Sequence, residues 1–214
     1  MNAQSQRSTI AGPSGVLEVL VDSPSVTDMA ALRGTAVIAH PHPLFGGTMD
    51  NKVVQTLARA FVLSGWRAVR FNFRGIGKSE GSYDEGRGEL QDMLATIAHF
   101  APEGALALAG FSFGSFVTSQ AVQALAPARL PEKLVLVGTA ATRFQVAPIA
   151  PELHSRTLVV HGEVDDTVPL ADVLNWARPQ TLPVTVIPGV EHFFHGQLPL
   201  LRSLVVRHLN APQV

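Results

Sequence analysis

Short, almost wholly apolar runs alternate with amphipathic stretches along most of this sequence. Residues 35–39 (TAVIA) have the pattern of a strand that is buried on both faces of a sheet. Residues 50–63 instead repeat their apolar side chains at helical spacing, and Gly65 follows as a typical helix end. The alternation predicts βαβ units, and therefore an α/β fold with a mainly parallel sheet that helices cover on both faces.

The same periodicities predict the remaining elements. Strands are expected at residues 67–73, 105–109, 134–137, 157–160 and 184–187, and helices at residues 88–100, 113–125 and 198 to about 208. Residues 15–21 alternate weakly and are expected to pair with residues 8–11 as a hairpin at the sheet edge. Residues 1–214 are thus expected to form a single domain, in which residues 1–14 are a flexible segment or part of an edge strand.

Composition narrows the classes of protein to consider. The chain has 214 residues and 46% hydrophobic content, enough for one domain with a large core, and its net charge of −1 offers no basis for binding nucleic acid or an anionic membrane. It has no cysteine, which excludes disulfides and thiolate chemistry. No signal-peptide core or membrane-span pattern is present. We expect a cytoplasmic protein, monomeric or homodimeric, with a small-molecule substrate and without cofactor, metal, nucleic acid or membrane partners.

The segment GFSFG places a hydroxyl where a predicted strand ends and a predicted helix begins. It matches the G-x-S-x-G nucleophile elbow, in which a strained turn exposes the serine, here Ser112, above the sheet. The flanking glycines, Gly110 and Gly114, indicate that neither position has room for a Cβ. The alternative is a simple turn whose serine caps the helix. Ser115 is a rival hydroxyl, but it lacks flanking glycines.

A serine nucleophile needs a base, and the base needs a carboxylate that orients it. The segment HGEVDDTVP follows a predicted strand and offers Glu163, Asp165 and Asp166. The segment PGVEHFFHG follows the next strand and offers His192 and His195. The carboxyl ends of parallel strands are where such sheets collect their chemistry, and the chain order serine, acid, histidine suits the elbow.

HPHPLFGG, RFNFRGIGKSEG, GFSFGS, HGEVDDTVP and GVEHFFHG occur in that order. With these motifs the sequence resembles the α/β-hydrolase superfamily, and within it small bacterial hydrolases without a cap domain, similar to serine esterases and dienelactone hydrolases. The resemblance covers about residues 15–209. It implies an α/β-hydrolase fold. Only residues 138–156 separate the two strands between which many of these proteins insert a cap, so we expect none here.

The resemblance also implies roles for individual residues. The family pattern H-G-x-x-D-x-x-V-P selects Asp165 as the acid, and the G-x-x-H turn selects His192 as the base. Ser112 would attack an acyl carbonyl, His192 would move the proton, and Asp165 would orient His192. This is the arrangement of a serine hydrolase that cleaves carboxylic esters of small acyl substrates through an acyl-enzyme. A thioesterase, an acyltransferase, a peptidase or a non-catalytic binding protein of the same fold stays open.

The tetrahedral intermediate of such a reaction needs donors aimed at its oxyanion. One is expected to be the backbone N–H of Phe113, the residue after the nucleophile. The second is expected from HPHPLFGG, where Pro41 and Pro43 have no N–H, which leaves His42 or Leu44. The sequence does not separate these two.

Other conspicuous side chains have competing interpretations. Phe45, Phe111 and Phe193 are expected to line an apolar acyl pocket. His40 is expected to bond the loop backbone, and the alternative is a metal site with His42 and His192. Arg74 is expected to tie neighbouring loops together, the alternative being an anion site with Arg70 and Lys78.

Overall fold

The structure, a computed structural model, describes residues 4–25 and 32–211 of the chain. The strands are β1 (Gln4–Gly12), β2 (Gly15–Ser23), β3 (Thr35–Ala39), β4 (Arg67–Phe71), β5 (Leu106–Phe111), β6 (Lys133–Val137), β7 (Thr157–Gly162) and β8 (Val184–Ile187). The α-helices are α1 (Lys52–Leu63), α2 (Arg87–Phe100), α3 (Phe113–Leu125), α4 (Leu170–Ala177) and α5 (Leu198–Asn210). Pro43–Phe45, Pro151–Arg156 and Arg178–Gln180 form short 3₁₀ helices.

All eight strands form one sheet in the order β1-β2-β4-β3-β5-β6-β7-β8. The strands β3 to β8 pair in parallel, whereas β2 is antiparallel to β4 and β1 is antiparallel to β2. The predicted edge hairpin and the mainly parallel sheet are therefore confirmed. Within the segment 1–14, residues 4–12 form the edge strand, and residues 1–3 lie outside the described residues.

Helices cover both faces of the sheet, as the alternation predicts. The helices α1 and α5 pack on one face, and α2, α3 and α4 pack on the other. Side chains of β5 alternate between the two cores: Leu106 and Leu108 face α3, whereas Ala107, Ala109 and Phe111 face α1 and α5. This fold is the α/β-hydrolase fold.

One helix was not expected from the sequence, and the segment between β6 and β7 contains no cap domain. The helix α4 was not predicted, because it is short, has Pro169 as its N-cap residue without a side-chain hydrogen bond, and buries few residues, Val173 and Ala177. Between β6 and β7, residues 138–156 contain a 3₁₀ helix and no cap domain. Among the helices of the described part of the chain, none is long and apolar enough to cross a bilayer.

Candidate active site

Ser112 occupies a sharp turn between β5 and α3. Its backbone has φ 57° and ψ −118°, a conformation that non-glycine residues rarely adopt and that costs of order 1–3 kcal/mol. The Ser112 amide donates to the Val137 carbonyl at 2.8 Å, which ties the turn to β6. A Cβ on Gly110 would lie 2.3 Å from the Gly114 carbonyl oxygen, and a Cβ on Gly114 would lie 2.4 Å from that of Ala39. Both flanking positions therefore require glycine, as the sequence predicts.

The structure brings Ser112, His192 and Asp165 together at the carboxyl ends of three strands. Ser112 Oγ lies 3.0 Å from Nε2 of His192, and Nδ1 of His192 lies 2.6 Å from Oδ2 of Asp165. All three residues are buried. The resulting geometry lets His192 accept the serine proton at one ring nitrogen while its other nitrogen donates to a carboxylate.

The Asp165 carboxylate is held by hydrogen bonds at both oxygens. While Oδ2 accepts from His192, Oδ1 accepts the amides of Thr167 at 3.0 Å and Val168 at 2.7 Å. Burial opposes ionisation, but the hydrogen bonds from His192 and Val168 outweigh it, so the pKa of Asp165 lies below its usual value. An ionised carboxylate is therefore available to hold the imidazole in one tautomer.

Two of the backbone N–H groups at the cavity wall that have no acceptor among the described residues are the ones next to the candidate nucleophile and in the HPHPLFGG loop. They belong to Phe113, at the start of α3, and to His42, and both residues line the cavity that holds Ser112. The Leu44 amide, by contrast, donates to Nδ1 of the His42 ring at 3.2 Å. Of the two alternatives for the second donor, the geometry favours His42, because the Leu44 N–H is already engaged.

The ring of His42 lies in an aromatic cluster, with its centroid 4.8–5.8 Å from the rings of Phe45, Tyr83, Phe113 and Phe144. Burial and the nearby positive charge of Arg143 both lower the pKa of His42. The neutral ring keeps Nδ1 free to accept the Leu44 amide, so the side chain caps the 3₁₀ helix Pro43–Phe45.

His40 bonds the loop backbone, as expected. Its Nδ1 donates to the Pro41 carbonyl at 2.6 Å, and its Nε2 accepts the Phe73 amide at 3.0 Å. With both ring nitrogens engaged, His40 has none left for a metal. Within residues 4–25 and 32–211, no group of three His, Asp or Glu side chains is arranged to hold a metal ion.

A cavity of about 500 Å³ opens above Ser112. Phe45 and Phe193 line it and are exposed, with relative accessibilities of 74% and 42%. Sequence reasoning did not identify four polar residues in its wall, which are Asn51, Thr142, Arg143 and Thr167. Asn51 precedes α1 as its N-cap, and the other three lie in loops without a recognisable pattern.

Phe111 corrects the expected set of substrate-binding residues. Its side chain is completely buried and does not line the cavity, and its ring centroid lies 4.9 Å from that of His192. The strand alternation of β5 explains this position, because Phe111 shares the strand face of Ala107 and Ala109, which packs against α1 and α5. Phe111 supports the imidazole from beneath.

Most of the rejected candidates have other partners. Glu163 accepts the Gly189 amide at 2.9 Å. His195 forms an exposed pair with Glu191 at 3.0 Å and precedes the helix α5. The guanidinium of Arg74 is bound by Asp92, with contacts of 2.8 and 3.0 Å.

Arg70 is paired with Asp22 at 2.9 Å. The structural interpretation of Arg74 therefore holds, and neither arginine is available for a substrate anion. His161, at the end of β7, bonds the Val168 carbonyl at 2.8 Å, and burial lowers its pKa.

Solved structures of similar sequence share this fold over nearly their whole length. An α/β serine hydrolase without a lid from Xanthomonas campestris is 35% identical, with a TM-score of 0.85, and the alignment covers 100% of this chain and 99% of that one. An α/β serine hydrolase homologue from Coxiella burnetii is 38% identical, with a TM-score of 0.78, over 95% of this chain and 97% of that one.

Two further comparisons provide less information about the relatives of this chain. An uncharacterized protein of Rickettsia prowazekii (strain Madrid E) is 40% identical over 91 residues, which are 41% of this chain and 38% of that protein. The match thus spans well under half the length of this relative. No model of a protein family matches the chain.

Proposed function

Because this chain belongs to the α/β serine hydrolases that lack a lid, we propose that it cleaves carboxylic esters of small acyl substrates through an acyl-enzyme on Ser112. The hydrolase class follows from the family, and the ester substrate and the residue roles are our proposal. The observation that carries it is the continuous contact Ser112–His192–Asp165, with distances of 3.0 and 2.6 Å, at the floor of a cavity.

In the first half of the proposed reaction, Ser112 Oγ attacks the ester carbonyl while His192 Nε2 takes the hydroxyl proton. The negative charge that develops on the carbonyl oxygen is stabilised by the N–H groups of Phe113 and His42. When the tetrahedral intermediate collapses, the bond to the alcohol oxygen breaks, and His192 returns its proton to that oxygen. The alcohol leaves, and an acyl ester on Ser112 remains.

The second half repeats these steps with water as the nucleophile. His192 takes a proton from water as the water oxygen attacks the acyl carbonyl, and the same two N–H groups bind the oxyanion. Collapse then breaks the bond to Ser112 Oγ, which recovers its proton from His192. Asp165 stabilises the imidazolium that forms in both halves, and its lowered pKa supports this role.

The cavity supports small acyl groups as substrates. Its volume of about 500 Å³ lies within the ordinary range for small-molecule sites, and Phe45 and Phe193 give its mouth an apolar rim. Residues 138–156 form no cap domain over the cavity.

The direct test is an intact-mass measurement after exposure to a fluorophosphonate probe. We expect one phosphonyl adduct on the wild type, none on Ser112→Ala, and one on Ser115→Ala, which keeps the elbow serine. Matched p-nitrophenyl esters and thioesters of acetate and butyrate then rank the acyl substrates. An unlabelled, folded wild-type protein would contradict the proposal and favour a binding protein of this fold.

A further inference from the structure

We infer that His40 is a positioning residue, which fixes the direction of the His42 N–H by holding the peptide unit between Pro41 and His42. The inference deepens the proposed hydrolysis and rests on it, since it concerns the second oxyanion donor. Nothing in His40 touches the substrate, so its effect would act entirely through the backbone.

The hydrogen bonds of His40 select one tautomer. Nε2 faces the Phe73 amide at 3.0 Å, and an amide can only donate, so Nε2 is the unprotonated nitrogen. Nδ1 therefore carries the proton and donates it to the Pro41 carbonyl at 2.6 Å. Burial lowers the pKa of His40 to about 3, which keeps this neutral form throughout the working range of an enzyme.

The Pro41 carbonyl and the His42 N–H belong to one planar trans peptide unit and point in opposite directions. A donor that holds the carbonyl oxygen therefore also sets where the N–H points. His40 is the sole donor to this oxygen within the described residues. Without it, the peptide plane would be free to turn.

The neighbouring residues restrict the other backbone torsions of the segment, so rotation of this peptide plane is its main remaining freedom. The ring of Pro41 fixes its own φ, and Pro43 restricts the conformation of His42, whose φ and ψ are −54° and 124°. The torsion ψ of Pro41 is not restricted in this way. His40 supplies the missing restraint, and its bond to Phe73 anchors that restraint to the segment after β4.

The carbonyl is also enclosed sterically. A Cβ on Gly47 would lie 2.1 Å from the Pro41 oxygen, so a methyl group there would displace the same carbonyl. Gly47→Ala is therefore an independent way to disturb the peptide plane while His40 stays in place.

Two substitutions of His40 separate its two hydrogen bonds. In His40→Asn the amide nitrogen lies near the position of Nδ1 and can still donate to Pro41, but the Phe73 amide loses its acceptor. In His40→Gln the amide oxygen lies near the position of Nε2 and can still accept from Phe73, but the Pro41 carbonyl loses its donor. A matched control is His208→Asn. Nε2 of His208 also bonds a backbone carbonyl, that of Arg156 at 3.1 Å, and an Asn amide, which reaches only the position of Nδ1, loses this bond on α5.

The experiment measures kcat and KM for p-nitrophenyl butyrate, the affinity for a butyl boronic acid, and Tm, at pH 8. Deleting one oxyanion donor typically lowers kcat about 10²–10³-fold, so a misdirected donor should lower it about 10–100-fold. We expect that loss in His40→Gln and Gly47→Ala, with KM within about threefold of wild type and a parallel loss of boronic acid affinity. His40→Asn should stay within about fivefold of wild-type kcat, and His208→Asn should lower Tm alone.

The positioning role would be overturned if His40→Asn and His40→Gln lost kcat equally and if the loss in each variant followed its decrease in Tm. Wild-type kcat in a folded His40→Gln would also overturn it. If His40→Gln does not fold, Gly47→Ala decides, since unchanged kcat there contradicts the inference. Failure of the proposed function is seen separately, as wild-type turnover that persists in Ser112→Ala.

Discussion

The hydroxyl of Ser115 lies 2.7 Å from the carbonyl oxygen of Gly110 and donates to it, which closes the elbow from below. The hydroxyl oxygen of Ser115 in turn accepts the Val137 amide at 3.1 Å. Ser115 is completely buried, so it is a structural clamp between β5, β6 and α3 and has no access to a substrate.

We expect Ser115→Ala to lower the free energy of unfolding by about 1–3 kcal/mol, because the buried Val137 amide loses its acceptor. Ser112 keeps its partners, so kcat should stay within about tenfold of wild type. Urea denaturation and steady-state kinetics measure the two effects. Loss of all fluorophosphonate labelling in folded Ser115→Ala would show that the clamp hydroxyl takes part in the chemistry.

We expect Asp165→Asn to lower kcat by about 10³–10⁴-fold. The Thr167 and Val168 amides both need an acceptor, so the asparagine oxygen should turn to them and leave its NH₂ facing His192. That NH₂ would donate to Nδ1 and place the imidazole proton on Nε2, where Ser112 needs an acceptor.

The control for this variant is Glu163→Gln, which keeps an acceptor for the Gly189 amide and should retain wild-type kcat. Both variants are compared by steady-state hydrolysis of one ester, with circular dichroism to verify folding. Comparable losses of kcat in the two would contradict the selection of Asp165.

Gly114→Ala should lower both stability and kcat, the latter by about 100-fold. Its Cβ would meet the backbone carbonyls of Ala39 and His40 at 2.4 and 2.6 Å, so α3 would have to move away from β3 and separate the two N–H donors. The control is Gly104→Ala, where φ is 77° and the space is open. That variant should lose about 1–2 kcal/mol of stability and no activity. Denaturation measurements and kinetics on both variants test this prediction. A kcat of Gly114→Ala equal to that of Gly104→Ala would refute the argument that α3 must stay close to β3.

Stability should fall as pH is lowered from about 6.5 to 4. Burial depresses the pKa of His208 to about 4 and that of His40 to about 3 in the folded chain, whereas an unfolded histidine titrates near 6.5. In this window the unfolded chain binds protons that the folded chain does not, so each such histidine contributes up to about 1.4 kcal/mol of destabilisation per pH unit.

Urea midpoints at pH 7, 6 and 5 measure this dependence. In His208→Gln the slope of stability against pH should be shallower than in the wild type. Identical slopes would show that His208 is not buried in its neutral form.

Phe45→Ala and Phe193→Ala should each raise KM for butyrate or longer esters about threefold to tenfold and leave acetate nearly unaffected. Each ring offers apolar area that only a longer acyl chain reaches, at about 25 cal/mol per Å² of buried surface. The control is Leu63→Ala, which removes an exposed apolar side chain from α1. A KM series over acyl chain length tests this, and chain-length profiles that match wild type would remove these rings from the binding surface.

Hydrophobic periodicity was enough to predict most of the fold. β8 and α3 have the predicted bounds, because their apolar patterns begin and end abruptly. The helix α4 was missed, since eight residues with two buried positions carry too little periodic signal and the turn before it offers no side-chain cap. A local hydrophobic pattern indicates which residues are buried, and α4 buries few residues.

The contacts at the site follow a different logic. Motif order indicated Ser112 and left several acids and two histidines open, and the resemblance to the family selected Asp165 and His192. The structure brings these three residues within hydrogen-bond distance. The expected role of Phe111 in the pocket was wrong, because a residue next to the nucleophile in sequence can still point to the opposite face of the sheet. The bond between His40 and Phe73 joins residues 33 positions apart, a tertiary pairing that no local motif encodes.

The open mouth left by residues 138–156 has a consequence for the acyl group of the proposed acyl-enzyme. A site that closes over its intermediate can exclude some nucleophiles. In a site without a closing element, the concentrations of the nucleophiles in bulk solution determine which one reacts with the intermediate. Solvent then intercepts the acyl group before scarcer alcohols or amines do. The partition ratio between free acid and transferred product should therefore follow the mole fraction of an added alcohol, and turnover should not wait for any gate to move.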